Sequence, residues 1–348
     1  MTTQYTVKKG DTLSHIAQQF GFRNWELLWN DASNSDLRTR RKKPELIQPG
    51  DQVTIPDKTP KKEKVNSGQS AKFQLATAPP LAAFSLTISD TQGNPFDGLD
   101  VELRMPDANK SDAFKTDKSG LVEIKDPKLK SGEIEVVSIV DKKGDPEISF
   151  KDRLPSPLAV GLAHTLKLPN KRKVADEIAS TAGVARRSAW GASRPKKELD
   201  PDWDYDTLVV HHSGDGGEKS AKAIQTKHFS AGYDDIAYEY VVTLEGQILE
   251  GRHLAFKSAG NSEHNTGKVA VIVAGDFEHQ IWDDDDDPTQ AAIDAVVKIA
   301  NALKAHFPLT KLVGHRDLPR AKGDTECPGT ELYKFMDEMR TKTGLAGP

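Results

Sequence analysis

The only cysteine of this chain, Cys327, stands in Thr325-Glu326-Cys327-Pro328-Gly329, twelve positions after His315 in Gly314-His315-Arg316-Asp317. Far upstream an apolar run, Thr207-Leu208-Val209-Val210, ends in the pair His211-His212. A hydrolytic Zn²⁺ site takes three protein ligands from His, Cys or carboxylate and leaves a fourth position for water. One of the two upstream histidines, with His315 and Cys327, would complete such a set. Zinc there would act as a Lewis acid and lower the pKa of its water to about 7, which is what amide hydrolysis at neutral pH needs.

The rest of the chain has to position and deliver that centre. Its 348 residues exceed one ordinary domain. A net charge of −4 gives no basic footprint for nucleic acid. One cysteine cannot form an intrachain disulfide, so the fold does not require an oxidising compartment. Met1-Thr2-Thr3-Gln4-Tyr5 has neither the basic nor the apolar region of a secretory signal. No apolar run approaches membrane-spanning length, and no membrane partner is expected. The expectation is synthesis in the cytoplasm and action in the periplasm or cell wall, after export or injection by a route other than general secretion.

Residues 1–57 read as a small strand-helix-helix-strand module. Gly10-Asp11-Thr12 is a turn ending in a helix cap. Leu13, Ile16, Ala17 and Phe20 follow at helical spacing. Asn24 is placed to cap a second short helix, and Val53-Thr54-Ile55-Pro56 closes the module. The stretches Tyr5 to Leu13 and Ile47 to Pro56 resemble both ends of the LysM family. That resemblance implies binding to peptidoglycan glycans through Gly10, Asp11, Thr12, Leu13, Ile47 and Pro49. Asn34 to Lys43 is an insertion, with a basic run from Arg38 to Lys43.

Residues 58–71 are polar and rich in Lys, Pro and Ser, the composition of a linker. Residues 72–169 change to short alternating runs, among them Phe84 to Ile88, Val101 to Leu103, Leu121 to Ile124, Ile134 to Val136 and His164 to Leu168. Turn clusters separate them, which predicts an all-β sandwich serving as spacer or adaptor. Thr116 to Gly120 is similar to the repeating turn of transthyretin-like and carboxypeptidase-regulatory-like sandwiches. Residues 170–185 read as a second linker, one able to form a helix, and 186–348 as an α/β domain, a mixed sheet with packed helices. In it, Asp287 with Pro288 is placed to start a long helix.

Within 186–348, Arg187-Ser188-Ala189-Trp190-Gly191-Ala192, Val210-His211-His212-Ser213, Ala237-Tyr238-Glu239-Tyr240, His264-Asn265, Gly314-His315-Arg316-Asp317 and Thr325 to Gly329 come in one order. The order resembles the peptidoglycan recognition protein family, related in fold to the phage lysozyme-type zinc N-acetylmuramoyl-L-alanine amidases. The resemblance selects His211 over His212, with His315 and Cys327, as metal ligands. It implies Tyr238 and Thr325 as catalytic residues and His264 and Asn265 in the substrate groove. Tyr238 and Thr325 would hydrogen-bond the attacking water and the developing oxyanion. His212 is expected to support from nearby, and His228 to be structural. Two departures stand out: a long interval, Pro319 to Asp324, before Cys327, and Ser258 where the groove commonly has histidine.

The function implied is cleavage of the amide between N-acetylmuramic acid and L-alanine in peptidoglycan. The alternatives are recognition without cleavage and a phage endolysin. An injected antibacterial effector would bring an immunity protein and a secretion-apparatus spike component as partners.

Overall fold

The computed structural model describes residues 3–8, 11–22, 24–57, 84–126, 128–129, 131–214, 217–278, 286–319 and 325–348. Gly10, the expected linker 58–71, residues 283–285 of the acidic run and the loop 320–324 lie outside them.

At the N-terminus β1 (Thr3–Thr6) pairs antiparallel with β2 (Gln52–Ile55), and α1 (Leu13–Gln19), α2 (Glu26–Trp29) and α3 (Ser35–Arg41) lie between them. Thr12 caps α1, its hydroxyl oxygen accepting from His15 N at 3.2 Å. The N-cap of α2 is Trp25 and not Asn24, whose Oδ1 instead accepts from Glu26 N at 2.9 Å. The insertion adds α3 to the expected two helices. Buried Asn34 ties it to the module: its amide donates to Leu28 O at 2.9 Å and Thr54 O at 2.7 Å, and its Oδ1 accepts from Thr54 N at 2.8 Å. Arg41 grips Asp51 through two bonds of 2.8 and 2.9 Å.

Eight strands follow: β3 (Phe84–Asp90), β4 (Asp100–Arg104), β5 (Asp112–Lys115), β6 (Leu121–Ile124), β7 (Glu133–Asp141), β8 (Ile148–Ser149), β9 (Leu158–Ala159) and β10 (Ala163–Leu168). One sheet runs β10-β3-β6, with β10 parallel to β3; the other runs β5-β4-β7-β8, with β9 paired to β7. Phe84, Leu86 and Ile88 of the first share a buried cluster with Val101, Leu103, Val136 and Ile139 of the second. The period-2 alternation of each strand supplies these inward faces.

Residues 170–185, read as a connection able to form a helix, contain α4 (Lys171–Ala182). Ala175, Ile178, Ala179 and Ala182 fall at i, i+3, i+4 and i+7 and are buried in the C-terminal core. There, β11 (Thr207–His212), α5 (Ala221–Ser230), β12 (Tyr240–Val242), β13 (Ile248–Glu250), β14 (Lys268–Val273), α6 (Gln290–Lys304), β15 (Lys311–Gly314), α7 (Thr330–Tyr333) and α8 (Met336–Thr343) complete the chain. The sheet order is β13-β12-β14-β11-β15, with β13 alone antiparallel to its neighbour. α4 and α8 pack on α6. Thr289, not Asp287, caps α6, accepting from Ala292 N at 3.1 Å, because its hydroxyl sits directly before the first helical turn.

Lys171, the first residue of α4, joins the two-sheet unit to this core. Only 1% exposed, its ammonium lies 3.2 Å from Asp152 Oδ1, 5.4 Å from the ring centre of Phe150 and 5.9 Å from that of Trp203. Phe150 belongs to the core between the two sheets and Trp203 to the C-terminal core. Ala255 of the C-terminal part is itself buried in the cluster of the two sheets. Burial lowers the Lys171 pKa while Asp152 opposes the shift. Replacing Lys171 by Ala removes both the stem and the charge and is expected to cost about 3 kcal/mol. Lys171→Met keeps the stem and is expected to cost about 1 kcal/mol. Urea denaturation of both variants checks this ordering; equal losses would make the charge, not the stem, the joint.

Candidate metal centre

His211 ends β11, which lies between β14 and β15 in a parallel register. Leu208 and Val210 join the core on the α6 side, so strand alternation turns His211 to the other side. His315 is the first residue after β15. Cys327 arrives on the turn before α7, held by Arg316 N donating to Cys327 O at 2.8 Å. One ligand-capable atom from each of His211, His315 and Cys327 lies within 4.8 Å of the others. The two imidazole rings are 4.7 Å apart, and Cys327 Sγ is 3.4 Å from His211 Nδ1.

The other nitrogen of His211, Nε2, is 2.9 Å from Asn261 Oδ1. An amide oxygen there makes Nε2 the protonated nitrogen and leaves Nδ1 with its lone pair toward the sulfur and His315. Asn261 is fixed in turn: its Nδ2 donates to Ser258 Oγ at 3.1 Å and its backbone N–H to Asn265 Oδ1 at 2.9 Å. Ser258 Oγ donates to Asn265 Oδ1 at 3.1 Å. Ser258 is 2% exposed and Asn265 is turned into the loop, so both serve the His211 orientation. Asn261 was not among the residues singled out from sequence, since an asparagine in a Gly-Asn-Ser turn carries no metal-ligand signature. His264 shares this loop through its backbone N–H, which donates to Asn261 O, and no described side-chain contact links it to the three donors.

His212 points away from the cluster. Its Nδ1 accepts from Phe277 N at 3.3 Å and lies 3.7 Å from Asp276 Oδ1. Asp317 steadies the His315 turn, accepting from Gly314 N at 2.9 Å and from Tyr333 OH at 2.6 Å. Thr325 Oγ1 accepts from Cys327 N at 3.2 Å.

Tyr238 sits with its ring 4.9 Å from His211 and 5.5 Å from His228. Sequence reading put it at the start of a strand, but β12 begins at Tyr240. The reason is Glu239, whose Oε2 accepts from Ala270 N at 2.7 Å where a strand would use a backbone carbonyl. His228 Nδ1 accepts from Ala237 N at 3.1 Å and its ring stacks on Tyr233, so it braces this segment. Gly260 lets the phenol in: a Cβ there would lie 2.5 Å from Tyr238 Cε1.

Electrostatics at the centre follow from burial. Burial depresses the pKa of His211 strongly, with His315 adding to the effect, and depresses that of His315. Burial pushes the Cys327 thiol up to about 12, against a backbone hydrogen bond from His212 that lowers it. Two neutral imidazoles and a desolvated thiol, with an oriented Nδ1, are the donor set that Zn²⁺ prefers, and a dication would ionise the thiol outright. The residues present therefore fit the metal.

Asp11, Thr12, Leu13 and Ile47 of the N-terminal module line one hollow together with Leu162 to Thr165 of the two-sheet unit. Asp11 Oδ2 accepts from Tyr5 OH and Lys8 N, both at 2.8 Å, Leu13 turns largely into the core at 3% exposed, and Pro49 is exposed. Tyr238 and the three metal-ligating candidates thus meet in one place, while the N-terminal residues form a separate one.

Residues 202–330 match the family described as N-acetylmuramoyl-L-alanine amidase, and residues 5–56 match the LysM domain. Peptidoglycan-recognition protein LB of Drosophila melanogaster is 28% identical over 166 residues, 44% of this chain and 67% of its own length. The N-acetylmuramoyl-L-alanine amidase of Sus scrofa is 31% identical over 120 residues, 33% of this chain but 18% of its own length. Among solved structures, an endolysin N-acetylmuramoyl-L-alanine amidase from Clostridium intestinale aligns at 18% identity with a TM-score of 0.40, covering 47% of this chain and 96% of that one.

Two outcomes are expected. Asn261→Ala should weaken zinc affinity about 10- to 100-fold, measured by competition with a chromogenic chelator, because the orientation of His211 is lost. Glu239 is fully buried, which pushes its carboxyl up from 4.5 to about 8. Across that interval the folded chain keeps a proton that the unfolded chain releases, so stability falls as pH rises through it and levels off above. Glu239→Gln should flatten this part of the profile of urea midpoint against pH.

Proposed function

We propose that this chain, which carries a LysM domain over residues 5–56 and a domain of the N-acetylmuramoyl-L-alanine amidase family over 202–330, is a zinc-dependent peptidoglycan hydrolase. It cleaves the amide between N-acetylmuramic acid and the L-alanine of the stem peptide. The observation that carries this reading is the meeting of His211, His315 and Cys327 beside Tyr238. His211 is fully buried and His315 and Cys327 are half-buried, so three mutually close donors are drawn partly out of water, which is costly without a cation between them.

His211, His315 and Cys327 would hold zinc, which when bound would supply Lewis acidity and an activated water at neutral pH. The chain's own groups do the remainder. Asn261 keeps the proton on His211 Nε2 so that Nδ1 stays a donor of electrons. Tyr238 keeps its phenolic proton, because burial raises its pKa, and presents it as a hydrogen-bond donor to the oxygen on which charge develops. Thr325, with its oxygen engaged by Cys327 N, offers its O–H to the substrate on the other side. His264 borders the groove on the loop that carries Asn261, and Asn265, also read as a groove residue, acts there by fixing Asn261.

The LysM module holds the glycan and raises the local concentration of stem peptides through its tether. The two-sheet unit, read as a sandwich, serves as spacer or adaptor. For delivery, an injected antibacterial effector, paired with an immunity protein and a spike component, accounts for that unit better than an endolysin does.

Digestion of purified peptidoglycan by the full chain should release stem peptides beginning at L-alanine, detected by mass spectrometry. A zinc chelator should abolish the release and added zinc restore it. Tyr238→Phe should lower kcat about 10²- to 10³-fold with zinc content unchanged. Intact muropeptides in the presence of bound zinc would make the chain a recognition protein instead.

A further inference from the structure

Of the three candidate donors, Cys327 has the least support from regular structure. His211 ends β11 and His315 follows β15 directly, so the sheet fixes where both emerge. Cys327 stands instead in a turn ahead of α7. Its sulfur nevertheless lies 3.4 Å from His211 Nδ1. Something other than the sheet has to aim that side chain.

Arg316, the residue after His315, is placed to do so. Two peptide planes flank the Cα of Cys327, one carrying Glu326 O and the other Cys327 O. Arg316 bonds to both. Its backbone N–H donates to Cys327 O at 2.8 Å, and its Nη2 donates to Glu326 O. Peptide units are rigid, so holding both planes sets φ and ψ of Cys327 and with them the direction in which Cβ leaves the chain. Glu326 O also accepts from Gly329 N at 2.7 Å, which closes the turn around Cys327 and Pro328. One residue therefore joins the strand end that delivers His315 to the turn that delivers the sulfur.

The guanidinium is held in turn. Its carbon lies 4.8 Å from the ring centre of Tyr333, a cation–π distance. Nη2 is 3.6 Å from Glu278 Oε2 and 3.8 Å from Glu326 Oε2. Glu278 grips the far end of the same turn: its Oε2 accepts from Thr330 N at 2.6 Å and from Thr330 Oγ1 at 2.8 Å. The stretch from Glu326 to Thr330 is thus held at one end by Arg316 and at the other by Glu278, and the two holders face each other as opposite charges. Their side chains are 19% and 23% exposed, so salt screens this pair less than a surface one. Two carboxylates beside Nη2 also argue against Arg316 as a receptor for an acidic substrate group, since its charge is already matched.

We propose that Arg316 is a positioning residue of the metal centre, fixing Cys327 Sγ beside His211 and His315 ahead of any ion, with Glu278 holding the turn from the other end. The inference rests on the zinc reading above, and its test does not measure hydrolysis.

Cobalt(II) loaded into the full chain in place of zinc reports on the sulfur directly, through the thiolate-to-cobalt charge-transfer band in the near ultraviolet. The unaltered chain should show that band. Arg316→Met keeps an apolar stem against Tyr333 but donates nothing. It should lower zinc affinity about 10- to 100-fold, read by chelator competition, and weaken the band. Arg316→Lys keeps a donor and a charge and should recover part of both. Glu278→Ala, at a position outside helix and strand, should shift both readings in the same direction as Arg316→Met, and it decides the matter should Arg316→Met not fold. A merely structural Arg316 would lower the urea midpoint and leave the cobalt band and zinc affinity of the folded variants unchanged; that result overturns the proposal. An unaltered chain with neither band nor zinc affinity overturns the zinc reading, and this proposal with it.

Discussion

Taking His211, His315 and Cys327 out of water forces each toward its uncharged form, and the architecture around them is arranged to make that tolerable. Burial alone would leave three lone-pair donors facing one another with no electrophile between them. The parallel register of β11 with β14 and β15 brings His211 and His315 out at the same end of the sheet. The Arg316–Cys327 backbone bond then lays the sulfur beside them. The cost of desolvation is thereby concentrated at a single point, where one divalent ion would offset it.

Around that point the polar groups form a chain in which each fixes the next. Ser258 and Asn265 hold Asn261, Asn261 sets the His211 tautomer, and the tautomer decides which nitrogen faces Cys327. On the other flank Glu239 replaces a ladder carbonyl, so the chain bends at Tyr238 before β12 begins, and Gly260 leaves room for the phenol. The Ser258–Asn265–Asn261–His211 network favours a single geometry over a loose ensemble, while Glu239 Oε1 is buried with no hydrogen-bond partner among the described residues.

The metal-ligating candidates were legible from sequence because residue type and order carry them: two histidines and a lone cysteine are rare enough to stand out. The strands of the middle unit were legible in the alternation of Phe84, Leu86 and Ile88. Asn261 was not, since its role depends on a contact fifty positions away that no local pattern encodes. The α4 stripe of Ala175, Ile178, Ala179 and Ala182 has plain helical spacing, yet its small, weakly apolar residues among charges read as a connection until α6 is seen opposite. The start of β12 was misplaced for a related reason: a buried glutamate bonding to backbone cannot be told from an exposed one by type alone.

Lys171 has a bearing on how such a chain is inherited. One ammonium touches Phe150 from one core and Trp203 from another, and the helix it begins fills the second core. Recombination that joined a new partner at residue 186 would strip α4 from α6 and lay bare a strip of alanine and isoleucine. The two-sheet unit and the C-terminal unit therefore share a joint that a cut at residue 186 would break, whereas among the described residues the module ending at Ile55 shares no buried cluster with either.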